Sequence, residues 1–412
     1  MASQIIAGLD VGSSKTAVVV VEVSNDQGEA RARVLGVGQA RTTGIRLGVV
    51  TDLEATTDSI RRAVKEAELM SGATIERLYT GIAGEHVHGR ASTGVVAVGG
   101  QEITPRDIER VHEVARAIVV PADREVLHAL PQEYIVDAQG GIRDPIAMAG
   151  TRLEAEVFII TGSAAAAQNL RKAVDRAGYE VAELVFEPLA SAMAVLSDDE
   201  KEIGTVLVEL GGGATDVTIF HERKIRHMTS LPWGGGSVTN DIVKGLSLPY
   251  MEASRAKEAY GTARSSLVDP REAFEVPGGE PGEVRQIARE LLAHIIEQRL
   301  DEIFGIVAER IERSGVADRP SGGVVLTGGG AALEGVRELA EATFSGPVRI
   351  GVPGEGLSGL VESTRAPKFA TAAGLALYGA RRVSSEMTDG PTGSGSPANV
   401  IKWMRDWLND FF

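Results

Sequence analysis

Apolar positions along the chain fall into two alternating patterns. Short Val- and Ile-rich runs bounded by Gly read as buried strands, and between them lie longer stretches with apolar residues at helical spacing, as in 52–70, 104–118 and 284–314. In the second of these, Ile108, Val111, Ala115 and Ile118 share one face, while Thr104 stands at the N-cap with Pro105 at N1. Alternation of this kind predicts an α/β fold. Two stretches read as loops: Val276–Glu283 (VPGGEPGE), and Val383–Ala398, rich in Ser, Gly, Thr and Pro, which separates the folded body from a short tail.

The tail, NVIKWMRDWLNDFF, has its own period. At about 100° per residue, Ile401, Trp403, Met404, Trp407, Leu408, Phe411 and Phe412 occupy one half of the helical wheel, and Lys402, Arg405, Asp406, Asn409 and Asp410 the other. Such a helix either docks on a protein surface or lies in a membrane interface. The long linker before it and the Trp and Phe on its apolar face favour the interface.

An internal repeat carries the chemistry. LDVGSSKTAVVV and VELGGGATDVTI superimpose at one constant offset, which sets Asp10 on Glu209, Gly12 on Gly211, Ser13 on Gly212, Ser14 on Gly213 and Thr16 on Thr215. Each reads as apolar strand, acid, small-residue turn, apolar strand. One such hairpin alone is an ordinary tight turn. Two, one in each half of the chain, form a clamp in which backbone N–H groups cradle phosphate oxygens and an acid holds a hydrated Mg²⁺. Neither is a P-loop, because β-branched residues follow both turns in place of the GK[ST] that opens a helix. A third glycine-rich element, VVLTGGGAALEG, runs from a strand through Gly328, Gly329 and Gly330 toward a helix, where a nucleotide can lie against bare backbone.

Composition narrows the function. The 412 residues are 43% hydrophobic and 24% charged, a globular usage that suits two or three domains. With 57 acidic against 42 basic residues, the net charge of −15 disfavours nucleic acid as a partner. The absence of cysteine excludes disulfides, thiolate metal sites and cysteine nucleophiles. His86, His88, His128 and His294 are scattered and are expected as structural or surface residues. No run of about 18 apolar residues occurs and no basic segment precedes the apolar N-terminus, so a soluble cytoplasmic chain is expected.

The ordered set GLDVGSSKT, EPLASAMAVL, VELGGGATD, VVLTGGGAALEG and KFATAAGLALY resembles the five motifs of the actin, Hsp70 and sugar-kinase ATPase superfamily. Over nearly the whole length, and through GIAGEHVHG, the stretch from Arg124 to Gly162 and LPWGGGSVTNDI, the chain resembles the FtsA family of bacterial cell-division proteins. That resemblance implies a two-lobed actin-like fold of duplicated ribonuclease H-like cores. It places domain 1A at 1–82, 164–200 and 360–382, the family's 1C insertion at 83–163, 2A at 201–230 and 320–359, 2B at 231–319, a linker at 383–398 and a membrane-targeting helix at 399–412.

By the same resemblance ATP and Mg²⁺ sit between the lobes. Asp10 would orient the metal's water; Gly12, Ser13, Ser14, Lys15 and Thr16 would contact phosphates from one side, and Gly211, Gly212, Gly213 and Thr215 from the other. Lys257 and Glu258 would meet the ribose, and Gly328, Gly329 and Gly330 the adenosine. The family pattern commonly has Asp where Glu209 stands, and the added methylene is expected to favour binding over hydrolysis. The resemblance further implies self-association into filaments, later division proteins on 1C, and capture of the C-terminal peptide of the tubulin-like protein FtsZ, with Arg299 and Glu302 as polar contacts. The implied role is to tether FtsZ polymers to the inner face of the cytoplasmic membrane at the division site. An actin-like scaffold of a pilus or cell-shape machine, or a soluble small-molecule kinase, is the alternative on the same fold.

Overall fold

A computed structural model describes residues 4–26, 29–100, 102–278, 284–316 and 321–389. The chain opens with strands β1 (Gln4–Val11), β2 (Lys15–Asp26) and β3 (Glu29–Arg41), a short hairpin β4 (Ile45–Arg46) and β5 (Val49–Val50), helix α1 (Leu53–Ser71) and β6 (Arg77–Ile82). An inserted unit follows: β7 (His88–Ala97), α2 (Pro105–Arg116), β8 (Arg124–Val136), β9 (Gln139–Ile142) and β10 (Arg152–Ser163). The first lobe resumes with α3 (Ala164–Ala177), β11 (Glu180–Phe186) and α4 (Glu187–Val195), and α5 (Asp198–Ile203) leads to the second lobe. There come β12 (Thr205–Leu210), β13 (Thr215–His221), β14 (Lys224–Leu231), α6 (Gly235–Leu246), α7 (Tyr250–Tyr260), β15 (Ala273–Pro277), β16 (Val284–Ala288), α8 (Arg289–Arg313), β17 (Val324–Thr327), α9 (Val336–Phe344) and β18 (Val348–Ile350). The chain then returns to the first lobe as β19 (Leu357–Gly359) and α10 (Ala370–Asp389).

The two main sheets share one topology. In the first the order is β11-β6-β1-β2-β3-β19, and in the second β14-β13-β12-β17-β18. Each is an antiparallel three-strand meander extended by parallel strands beside its first member, and the first sheet adds β19 parallel to β3 at its other edge. Strands buried on both faces need unbroken apolar sequence, and β2 supplies it: Val18 and Val20 join the cluster with α1 and α3, while Val19 and Val21 join the one with α4 and α10.

Helices α4 and α10 lie between the sheets, packed on one another and on both β1 and β12. They cross so closely that a Cβ on Gly374 would overlap the Ala190 carbonyl, which explains the small residues of TAAGLA and LASA. Because side chains alternate along a strand, this layer also sets which way the acids face. Leu207 of β12 packs into the α4–α10 cluster whereas Val206 and Val208 pack outward, so Glu209 shares the inward face with Leu207. In β1, Ile6 packs toward α10 and Leu9 away from it, which turns Asp10 the same way.

The insertion is a four-strand sheet, β7-β10-β8-β9, backed by α2. Asp107 fixes the start of that helix by accepting from the Thr104 N–H (2.9 Å) and hydroxyl (2.6 Å). The insertion touches both lobes. His128 of β8 accepts from the Phe186 N–H of β11 at 2.9 Å, its ring held neutral by burial, and Lys224 of β14 pairs with Glu133 of β8 at 2.8 Å.

Three boundaries differ from the sequence expectation. Residues 284–288, read as the start of a long helix, form β16, and Val276 and Pro277, read as loop, end β15; the pair closes as a hairpin with Phe274, Val276 and Ile287 buried. β19 pairs with β3, so 357–359 sit on the first sheet rather than with the second-lobe segment 320–359. The linker expected from Val383 begins as helix, because the first residues that oppose helix are Gly390 and Pro391. The rest of that linker and the tail, with Ile401, Trp403, Met404, Trp407, Leu408, Phe411 and Phe412, lie outside the described residues.

Overpacking at the helix crossing is the sharpest test of this arrangement. Gly374→Ala is expected to cost about 2 kcal/mol or more, read as a lower urea midpoint with an unchanged slope.

Candidate functional site

The repeat folds as two equivalent hairpins that meet across the cleft. In the first the Gly12 N–H donates to the Lys15 carbonyl, and in the second the Gly211 N–H donates to that of Ala214, both at 3.0 Å. A Cβ on Gly212 would overlap Ser14, and one on Gly213 would overlap Ser13, so the tips touch only because the second turn carries no side chains. Gly235 and Gly236, at the start of α6, dock on the same turn by donating to the carbonyls of Gly211 (2.9 Å) and Gly212 (2.7 Å).

Asp10, Gly12, Ser13, Ser14, Lys15, Glu209, Gly211, Gly212, Gly213, Gly328 and Gly329 all line this cleft. Lys15 donates to Asp10 at 2.9 Å and to the Lys368 carbonyl at 2.6 Å, with its ammonium 5.8 Å from the centre of the Phe369 ring. Gly328 donates to the Pro367 carbonyl at 3.2 Å, which joins the second lobe to the segment leading into α10.

Five residues expected at the site face elsewhere. Thr16 follows Lys15 on a strand, so alternation turns it into the core, where its hydroxyl meets that of Thr42 at 2.7 Å. Thr215, the matching residue of the second hairpin, donates to the Trp233 carbonyl at 2.7 Å. Lys257 donates to the Gly235 carbonyl and the Thr239 hydroxyl, both at 2.8 Å, so its charge braces α6 behind the hairpin; Glu258 accepts from Ser254 at 3.0 Å. Gly330 backs onto Leu210, since the glycine loop continues as a 3-10 turn and α9 starts only at Val336.

Sequence reasoning also missed cleft residues. Glu187, Asp216, Lys368 and Thr371 line the wall, and Ser191 sits just behind it. The signal for Glu187 was its place at the head of EPLASAMAVL, and for Asp216 its place directly after Thr215 in the hairpin.

Asp10, Glu187, Glu209 and Asp216 thus crowd one cleft with few cations. Burial pushes Glu209 up to about 8 and Asp216 up to about 6, and Glu187 is raised well above the usual carboxylate range by burial and by the charges of Asp10, Asp216 and Glu209. Glu209 Oε2 is buried without a hydrogen-bond partner among the described residues. Crowded buried carboxyl groups beside the side-chain-free turn Gly211–Gly213 suit a magnesium-bound polyphosphate, whose cation would answer the acids while the turns face the phosphates. Among the described residues no three His, Cys, Asp or Glu converge into a metal-holding cluster.

Arg299 and Glu302 stand together on α8, 2.5 Å apart, and Arg299 also pairs with Asp241 of α6. No helix among the described residues is long and apolar enough to cross a membrane.

Two lobes of matching topology, each lending an acid-bearing hairpin to a common cleft, define an actin-like ATPase fold. In solved structures the chain resembles a PilM–PilN type IV pilus biogenesis complex (TM-score 0.65, 19% identity, 91% of this chain and 98% of that one) and MreB5 of Spiroplasma citri bound to ADP (0.55, 13%, 94% and 99%). The family described as "Cell division protein FtsA" matches residues 206–374, and "SHS2 domain inserted in FTSA" matches 84–161. Proteins named cell division protein FtsA are 41% identical in Pseudomonas aeruginosa, over 99% of this chain and 98% of the relative, and 35% identical in Escherichia coli K12, over 99% and 98%. The chain belongs to the FtsA family, and its role is in cell division.

Glu209 sets a pH dependence. Its folded-state value of about 8 lies above an ordinary 4.5, so the folded protein keeps a proton that the unfolded chain releases, and stability falls as pH rises from about 4.5 to 8. Glu209→Gln removes this loss. Its melting temperature is expected to exceed the parent's by about 5 °C near pH 8.5, with the gain fading toward pH 5.

Proposed function

We propose that this protein binds Mg·ATP between its lobes, assembles into filaments, and tethers FtsZ polymers to the cytoplasmic face of the membrane at the division site. The paired hairpins carry the reading, because two small-residue turns, each following an acid at a strand end, converge on one cleft, an arrangement suited to a metal-bound anion. Turn N–H groups and Lys15 hold phosphate oxygens, and Asp10 orients the water shell of the metal. When bound, Mg²⁺ supplies the charge that lets the phosphates sit among carboxylates.

Glu187 and Asp216 belong to the same wall and are placed to order water near the phosphates. Glu209 is engaged with the first lobe, which supports binding with slow turnover. A nucleotide that spans both hairpins prefers the closed lobes, and that differential affinity is what biases self-association.

The finer roles rest on the family and on the tail's sequence pattern. The apolar face Ile401, Trp403, Met404, Trp407, Leu408, Phe411 and Phe412 buries in the headgroup region, and many weak tails on one filament act together. Arg299 and Glu302 offer polar contacts to the FtsZ C-terminal peptide, and the inserted subdomain is the surface for later division proteins.

Two experiments test this. Lys15→Ala is expected to weaken Mg·ATP binding by about tenfold or more in calorimetry, and an unchanged affinity removes the phosphate role. In liposome sedimentation with Mg·ATP, the full chain should pellet with lipid and carry an FtsZ C-terminal peptide with it, whereas a chain ending at Ser396 should stay in solution. Both chains remaining soluble would sink the membrane tether.

A further inference from the structure

One contact across the cleft is not explained by phosphate binding. Glu209 is on the second lobe, at the end of β12, yet its carboxyl ends on the two helices between the sheets, of which α10 packs on the first sheet. Ser191 of α4 donates to Glu209 Oε1 at 2.5 Å, and Thr371 of α10 donates to the same oxygen at 3.4 Å. The two hydroxyls lie 3.2 Å apart. Ser191 is fully buried and Glu209 is 6% exposed, so water does not compete for these bonds.

We infer that Glu209, Ser191 and Thr371 form a latch between the lobes, which holds them in the closed setting where the hairpin tips touch. Side-chain length is decisive. An Asp at this position would draw the carboxyl back by about 1.5 Å, which opens the Ser191 contact to about 4 Å and breaks it. The methylene that sets Glu209 apart from its counterpart Asp10 therefore has a use: it takes the acid past the phosphate site and onto α4. The latch sits at the inner end of the cleft, beside the Gly374–Ala190 crossing, where a small rotation of one lobe becomes a wide opening at the mouth.

A latch makes predictions that a metal-facing acid does not. Because the bond needs an acceptor oxygen rather than a charge, Glu209→Gln keeps it, whereas Glu209→Asp and Ser191→Ala lose it. The chain has no cysteine, so spin labels can be attached to the full-length protein at Lys65→Cys on α1 and Ala259→Cys on α7, both exposed. Without nucleotide, double electron–electron resonance should show a longer and broader label separation for Glu209→Asp and Ser191→Ala, and the parent separation for Glu209→Gln. Thr371→Val, which keeps the shape of the threonine, should lie between.

The consequence for ligand rests on the nucleotide reading above. In stopped flow with a fluorescent ATP analogue and Mg²⁺, Ser191→Ala should release nucleotide about five- to tenfold faster than the parent, although Ser191 itself does not line the cleft. Separations unchanged in both Ser191→Ala and Glu209→Asp would overturn the latch, as would a Glu209→Gln protein as open as Glu209→Asp. If the parent binds no nucleotide, the cleft assignment fails while the label separations still decide the latch.

Discussion

The structure depends on how closely α4 and α10 cross between the two sheets. Two helices that approach at Gly374 and Ala190 leave no room for larger side chains, so each sheet must present one apolar face to a thin shared layer. Strand alternation then leaves no choice about the ends of β1 and β12: the acid that follows the inward apolar residues points inward as well. Asp10 and Glu209 meet across a cleft because the packing beneath them has already fixed their direction. The cost is electrostatic, since carboxylates gathered in this way are poorly hydrated, and Glu187, Glu209 and Asp216 all hold their protons more tightly than free acids do.

The sequence made much of this legible, for identifiable reasons. A repeat at constant offset reported both hairpins as strand, acid, small-residue turn and strand, because glycine placement and acid placement are strictly local. Apolar period found α2 and its cap for the same reason. What escaped were side-chain directions. Thr16 and Thr215 stand beside cleft-lining residues but on the opposite face, and Lys257 spends its charge on α6. Motif order says which segments gather; only packing says which atoms face the gap.

Other departures have a different origin. β16 was hidden because VRQIA precedes a strongly periodic helix without a breaker, and only its pairing with β15 makes it a strand. The return of 357–359 to the first sheet is a long-range choice, made by β3 having a free edge. Glu187 and Ser191 were both in view within one motif, but the importance of each comes from what approaches it from distant parts of the chain. Local signals fix turns and caps, while meetings between elements far apart in sequence are decided in three dimensions.

The ion pair between Lys224 and Glu133 joins the inserted subdomain to the second lobe, while His128 joins the same subdomain to the first. Its orientation therefore cannot be independent of the angle between the lobes. Any ligand that favours one tilt of the insertion alters the affinity of whatever occupies the cleft between the lobes by some factor, and that occupant must alter the ligand's affinity by the same factor, since the two share one equilibrium. A distant surface and the central cleft are thus thermodynamically reciprocal, whichever of them is occupied first.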